Sequence, residues 1–323
     1  MSSTRHRGPG AWACSTADSL RIYRYADSYG EPRLAVAVEE RPPIDLVAAW
    51  MEQNSSRPSW LYSTRALIDA GPEMLSAVQH SVTVSTTESL SQSGSWLCPF
   101  DAIASLRDFL AFEDHVVRGA ARRHGEVPPY WYEAPVYYKG NHRALLGPGE
   151  TCKRPSYSES LDFELELALV IGRGGRNIEP ANASEHIFGF TIFNDFSARD
   201  IQAREMSAWL GPSKGKDFAN AFGPCIVTAD EVGSEPDLAM ICRVNGEEWG
   251  RARSSDMHWR WADMIAHVSR DEDVWAADVL GSGTPGGCCG LDIGRTLQPG
   301  DVVELEIEKI GVLRNPIGLP TER

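Results

Sequence analysis

Beyond Pro128 the chain is written in short apolar runs separated by glycine, proline and asparagine: PVYYKG, LELALVIG, HIFGFTIFND, GPCIVT, MICRVNG and DVVELEIEKIG. Such runs, bounded by turn-forming residues, predict strands. The last alternates strictly from Val303 to Ile307, so one of its faces meets water. Upstream, LRIYRY and LAVAVEE read as strands, IDLVAAWME as a helix after a Pro-Pro stop, and residues 63–80 as a second helix. The stretch 82–95 is polar and rich in Ser and Thr and predicts a linker. Residues 102–123 show helical spacing, with Leu106, Phe109, Leu110, Phe112, Val116 and Val117 on one broad apolar face. The pattern predicts an α+β, β-rich protein: a small N-terminal α/β domain over residues 1–95, then a strand-rich domain over 96–323 that closes on itself.

Within LDFELELALVIG, residues 161–172, the alternation carries a contradiction. On a strand, residues two apart share a face, so Glu164 and Glu166 lie together while Phe163, Leu165, Leu167 and Leu169 face the other way. Like charges at the mouth of a buried strand need water or a cation. Two same-face carboxylates, about 7 Å apart at Cα, can both reach one hard cation; a solvated glutamate face is the alternative.

Composition narrows the choice. Of 323 residues 42% are hydrophobic, enough for a sizeable core. A formal charge of −14 argues against nucleic-acid or anionic-membrane partners, which want a basic face. The N-terminal MSSTRHRGPG lacks the apolar centre of a signal peptide, and no apolar run reaches the roughly 18 residues of a membrane span. The seven Cys, Cys14 among them, form no C-x-x-C pair and read as reduced thiols of a cytoplasmic protein.

Further chemistry clusters downstream. In IFGFTIFNDFSARDIQ a wholly apolar strand ends in Asp195, a costly place for an unpaired carboxylate. Arg199 and Gln202 follow on a helix for which Ser197 is a candidate cap; an ordinary Asp195–Arg199 ion pair is the plainer reading. Lys214 and Lys216 alternate with glycine in GPSKGKDF, which is no phosphate loop because GxxxxGK[ST] is absent. In SLRDFLAFEDHVVRG, Asp108 and His115 are seven residues apart, nearly two helical turns, and would point to one side; His115 is then a candidate general base.

Taken in order, RDFLAFEDH, PVYYKGN, LDFELELALVIG, IFNDFSARDIQ, GKDF and the IEKIGVLRNP tail resemble the fumarylacetoacetate hydrolase (fumarylacetoacetase) superfamily from about residue 96 to 316. The resemblance implies a mixed β-roll catalytic domain, usually homodimeric, binding Mg²⁺, Mn²⁺ or Ca²⁺. It places metal ligands at Glu164, Glu166 and Asp195, with Asp108 as a fourth, and a catalytic base at His115. Substrate contacts map onto Arg199, Gln202, Lys216, Tyr138 and Thr284. Two departures concern the group that orients the histidine. Where longer members carry a glutamate, TPGGCCGLDIG offers Asp292; where short members place the partner three residues after the histidine, this chain has Arg118. The implied activity is metal-dependent hydrolysis of a C–C bond in a β-diketo or acylpyruvate-like acid through a metal-held enolate. Decarboxylation, tautomerisation or hydration of an α-keto acid is the alternative, and a non-catalytic metal-binding accessory role a third.

Overall fold

The computed structural model describes residues 19–38, 41–90 and 95–320. The N-terminal stretch with Cys14, the two glutamates that end LAVAVEE, and residues 91–94 of the expected linker lie outside the described residues. The main sheet runs in the order Ile44–Asp45, Pro32–Val38, Leu20–Ala26, Asn220–Thr228, Ile187–Asp195, Leu165–Ile171, Asp278–Gly281, Ser105–Phe109, Tyr137–Gly140. Along this path neighbours pair antiparallel, except that Asp278–Gly281 runs parallel to Ser105–Phe109. A second sheet joins Glu247–Arg253, Ala239–Val244, Val302–Ile307, Gly311–Gly318 and Cys152–Lys153. Among the described residues the main sheet has two free ends and closes no barrel, which corrects the expectation of a domain closed on itself.

Two cores lie on the two faces of this sheet, and strand alternation sorts residues between them. Leu161, Phe163, Leu165, Leu167, Leu169 and Ile171 all enter one core, together with Met240, Leu305 and Leu313 of the second sheet and Trp261 and Ile265 of the helix Trp261–Ser269. Ala168 and Val170 enter the other, covered by Leu46 and Trp50 of Leu46–Met51 and Val78 and Val82 of Pro72–Val84. Each large side chain so buried contributes about 1.5–3 kcal/mol. The wet face expected at Val303–Ile307 is present: Val303, Leu305 and Ile307 are buried and the residues between them partly exposed.

Three expectations change. The helix expected over 102–123 is a strand, Ser105–Phe109, followed by a helix, Glu113–Arg122. Asp108 and His115 therefore do not share a helix face. The apolar spacing came from two elements read as one, and an inner place in the sheet overrides local periodicity. The helix expected over 63–80 is two, Thr64–Asp69 and Pro72–Val84, interrupted where Gly71 adopts φ +86° ahead of Pro72. The second continues three residues into the expected linker, and beyond it the Thr86 and Leu90 amides bond to Glu52 and to the Pro43 carbonyl. The helix Arg199–Ser207 has no side-chain cap, because Ser197 Oγ donates instead to the Asp195 carbonyl. Among the described residues no helix is long and apolar enough to cross a membrane.

Candidate active site

The polar ends of four inner strands meet at one edge of the sheet. Glu166 begins the strand paired on one side with Ile187–Asp195 and on the other with Asp278–Gly281. Gly281 in turn pairs with Asp108, and Asp108 with Tyr138. Asp108 and Glu166 thus come from strands separated by a third. They approach because position 281 has no side chain: a Cβ there would overlap Asp108 Oδ1 and stand 2.8 Å from Glu166 Oε2. Ligand oxygens of Asp108, Glu166 and Asp195 lie within 4.8 Å of one another, all three residues buried. Asp108 Oδ1, Glu166 Oε1 and Asp195 Oδ1 each lack a hydrogen-bond partner.

The two glutamates of the opening contradiction have different surroundings. Glu164 is held by cations, with Arg199 Nη2 at 2.7 Å and Lys216 Nζ at 2.5 Å. Burial opposes its ionisation, but Arg199 and Lys216 outweigh burial and keep the carboxyl well below its usual range. Glu166 accepts from the Gly283 amide at 2.9 Å, and burial followed by repulsion from Asp108 pushes its carboxyl up. Asp108 is raised by burial and by Asp195. Lys216 Nζ also bonds to Asp195 Oδ2, to which Tyr138 Oη donates at 2.8 Å. Burial would lower the lysine, and Asp195 and Glu164 raise it instead, so it stays charged.

On the other wall, the helix Glu113–Arg122 presents His115, whose Nδ1 lies 2.8 Å from Asp292 Oδ2. Arg122 at 2.7 Å and the Gly287 amide at 3.0 Å complete the Asp292 shell. Burial would raise this carboxyl, but His115, Gly287 and Arg122 bring it down to about 2. An ionised Asp292 accepts a hydrogen bond from Nδ1–H, which keeps the proton on that nitrogen and leaves Nε2 with a lone pair. Arg118, the other position considered for orienting His115, bonds to Asp114 instead.

Asp108, His115, Tyr138, Glu164 and Glu166 line one cavity of about 360 Å³, and so do Arg199, Gln202, Lys216 and Thr284. Asp195 stands behind Lys216 and Tyr138. Gln202 Oε1 accepts from Arg199 Nη1 at 3.1 Å, and Thr284 Oγ1 donates to the Cys288 carbonyl at 3.3 Å. Three buried carboxylates, each with an oxygen lacking a partner, suit a hard cation, which takes oxygen donors. Repulsion within that group is what such an ion would relieve.

Three contributors escaped the sequence reading. Gly281 opens the gap between strands, Arg122 secures Asp292, and Asp162 grips Arg199 at 2.8 Å. Asp162 stands two residues before Glu164 and shares its alternation, which could have marked it. Gly281 carries no local signal.

A mixed α+β fold with buried carboxylates beside a cavity lined by His115, itself backed by Asp292, defines a candidate active site. The chain belongs to the fumarylacetoacetate hydrolase family: residues 105–318 match the model for the fumarylacetoacetate (FAA) hydrolase C-terminal domain. A Homo sapiens protein named oxaloacetate tautomerase FAHD2A, mitochondrial, is 36% identical over 190 residues, 57% of this chain and 59% of that protein. The matched stretch therefore spans less than two thirds of that relative. A Xenopus laevis protein named oxaloacetate tautomerase fahd2, mitochondrial, is 28% identical over 312 residues, 94% of this chain and 92% of that protein. The solved structure of a fumarylacetoacetate hydrolase from Exiguobacterium antarcticum superposes with a TM-score of 0.74 at 27% identity, covering 93% of this chain and 99% of that one. The family thus spans proteins named as hydrolases and as tautomerases.

Proposed function

We propose that this chain is a divalent-cation-dependent tautomerase acting on a small keto acid of the oxaloacetate type. The observation that carries the reading is the convergence of Asp108, Glu166 and Asp195 beside the cavity that His115 also faces. These three carboxylates, with Glu164 alongside, would hold Mg²⁺, Mn²⁺ or Ca²⁺, and the ion when bound supplies a Lewis acid that acidifies the carbon next to a keto group. His115 Nε2 takes one proton from that carbon and returns it to the carbonyl oxygen. The C–H bond breaks, a C=C bond forms and C=O becomes C–OH, with no water consumed. Asp292 keeps the imidazole in the tautomer that can accept. Arg199, Gln202 and Lys216 offer the donors that anchor the acid's carboxylate. The names of the human and Xenopus relatives support the tautomerase reading over its rivals.

C–C hydrolysis of an acylpyruvate is the second reading, favoured by the same His115–Asp292 pair, which would equally deprotonate a water. Product analysis separates the two. Oxaloacetate in D₂O should exchange its methylene protons faster with Mg²⁺-loaded protein than without it, releasing neither CO₂ nor pyruvate. Pyruvate plus a second acid from an acylpyruvate would establish the hydrolase, and CO₂ a decarboxylase. No acceleration with any keto acid would overturn the enzymatic reading.

A further inference from the structure

Behind the cavity, one carboxylate is bonded to both walls of the site while lining neither. Asp162 is 1% exposed. Its Oδ1 accepts from the Gly290 amide at 2.8 Å and from the Phe163 amide at 2.9 Å. Its Oδ2 accepts from the Leu291 amide at 2.9 Å and from Arg199 Nε at 2.8 Å, with Arg199 Nη2 at 2.7 Å. The fit is close on the amide side, since a Cβ at Gly290 would overlap the Arg295 carbonyl oxygen and stand 2.5 Å from Asp162 Oδ1.

What these bonds connect is specific. Arg199 reaches on from Asp162 to Glu164 and Gln202 on the cavity wall. Gly290 and Leu291 open the short helix Gly290–Ile293, whose next residue, Asp292, holds His115. Without the Asp162 charge, Arg199 would keep Glu164 as its bonded anion, and the buried Gly290 amide and the part-buried Leu291 amide ahead of Asp292 would lose their charged acceptor. An asparagine would turn N–H donors toward donors already there.

We infer that Asp162 is a positioning residue that sets Arg199 relative to the His115–Asp292 pair. The inference rests on the reading that Arg199 anchors the substrate carboxylate and His115 moves its proton. Asp162 touches neither substrate nor cation in this arrangement; it acts through the two groups that do.

The test is a mutant cycle read by binding as well as by rate. Asp162→Asn should keep its affinity for Mn²⁺ within about threefold. It should weaken oxalate binding to the Mn²⁺-loaded protein by about 10–100-fold, the usual cost of losing a group that orients a site residue. In an Arg199→Met background the same substitution should weaken oxalate little further, because the group through which it acts is gone. Asp162→Ala, which removes the carboxylate without adding a donor, should reproduce the pattern should Asp162→Asn fail to fold. Equal losses in both backgrounds would reduce Asp162 to general structural support, and unchanged oxalate affinity and turnover would remove it from the site; either overturns the inference. Wild-type protein that neither binds oxalate nor accelerates exchange would sink the tautomerase reading itself, and the inference with it.

Discussion

Adding one methyl group at Gly281 should abolish cation binding while leaving the protein folded. The glycine sits between the strands that carry Asp108 and Glu166, and its backbone is not among those at positive φ, so alanine suits the conformation. The new Cβ would overlap Asp108 Oδ1 and stand 2.8 Å from Glu166 Oε2. Reaching ordinary contact at 3.4 Å requires Glu166 Oε2 to retreat by about 0.6 Å, and Asp108 Oδ1 by more. Cation–oxygen distances tolerate only about ±0.2 Å. The carboxylates would therefore meet the ion one at a time, and Mg²⁺ or Mn²⁺ affinity should fall by at least about 100-fold, equivalent to about 2.7 kcal/mol. Overpacking costs about 1–3 kcal/mol, and moving two repelling carboxylates apart offsets part of it. Titration calorimetry on chelator-stripped protein measures the affinity, and thermal unfolding in chelator checks the fold. Wild-type affinity in Gly281→Ala would refute the reasoning, since the ion could not then lie between these two carboxylates.

Glu166→Gln should raise the unfolding temperature in chelator, because it replaces one of three clustered buried carboxyls with a group that never ionises, and should not be further stabilised by Mg²⁺; wild type at 100 times Kd should gain about 2.7 kcal/mol. His115→Ala should bind Mn²⁺ as wild type does but lose about 10²–10⁴ in kcat, and retained turnover would exclude the histidine. Asp292 titrates at about 2 in the folded protein against an ordinary 3.8. A depressed carboxyl contributes stability that is present above its ordinary value and lost as pH falls through the folded value. About 2 kcal/mol should therefore disappear between roughly pH 4 and pH 2, and denaturant titrations of Asp292→Asn should lack that component.

Legibility in the sequence followed the range of the forces involved. Alternation in LDFELELALVIG correctly assigned Phe163, Leu165, Leu167 and Leu169 to one core, because strand period is a local property of the backbone. The same local rule misled at Asp108, where a strand and the following helix happened to sum to helical spacing. The family resemblance marks Asp292, yet its bond to His115 spans 177 positions of chain and depends on how that segment folds back.

By itself, then, the sequence determined the apolar strands that carry Glu166 and Asp195, the family resemblance and the shared face of Glu164 and Glu166. Tertiary structure alone decided how those glutamates divide. Register across the sheet pairs Gly281 with Ala168, two residues along from Glu166, so the space left by the missing side chain lies beside Glu166 and lets it meet Asp108, while the loop bearing Lys216 and the helix bearing Arg199 fold over Glu164. One carboxylate is left in need of a positive charge and the other already has two. Burial raises the cost of every unpaired charge, and which charges find partners is a matter of distances between strands, to which a linear pattern has no access.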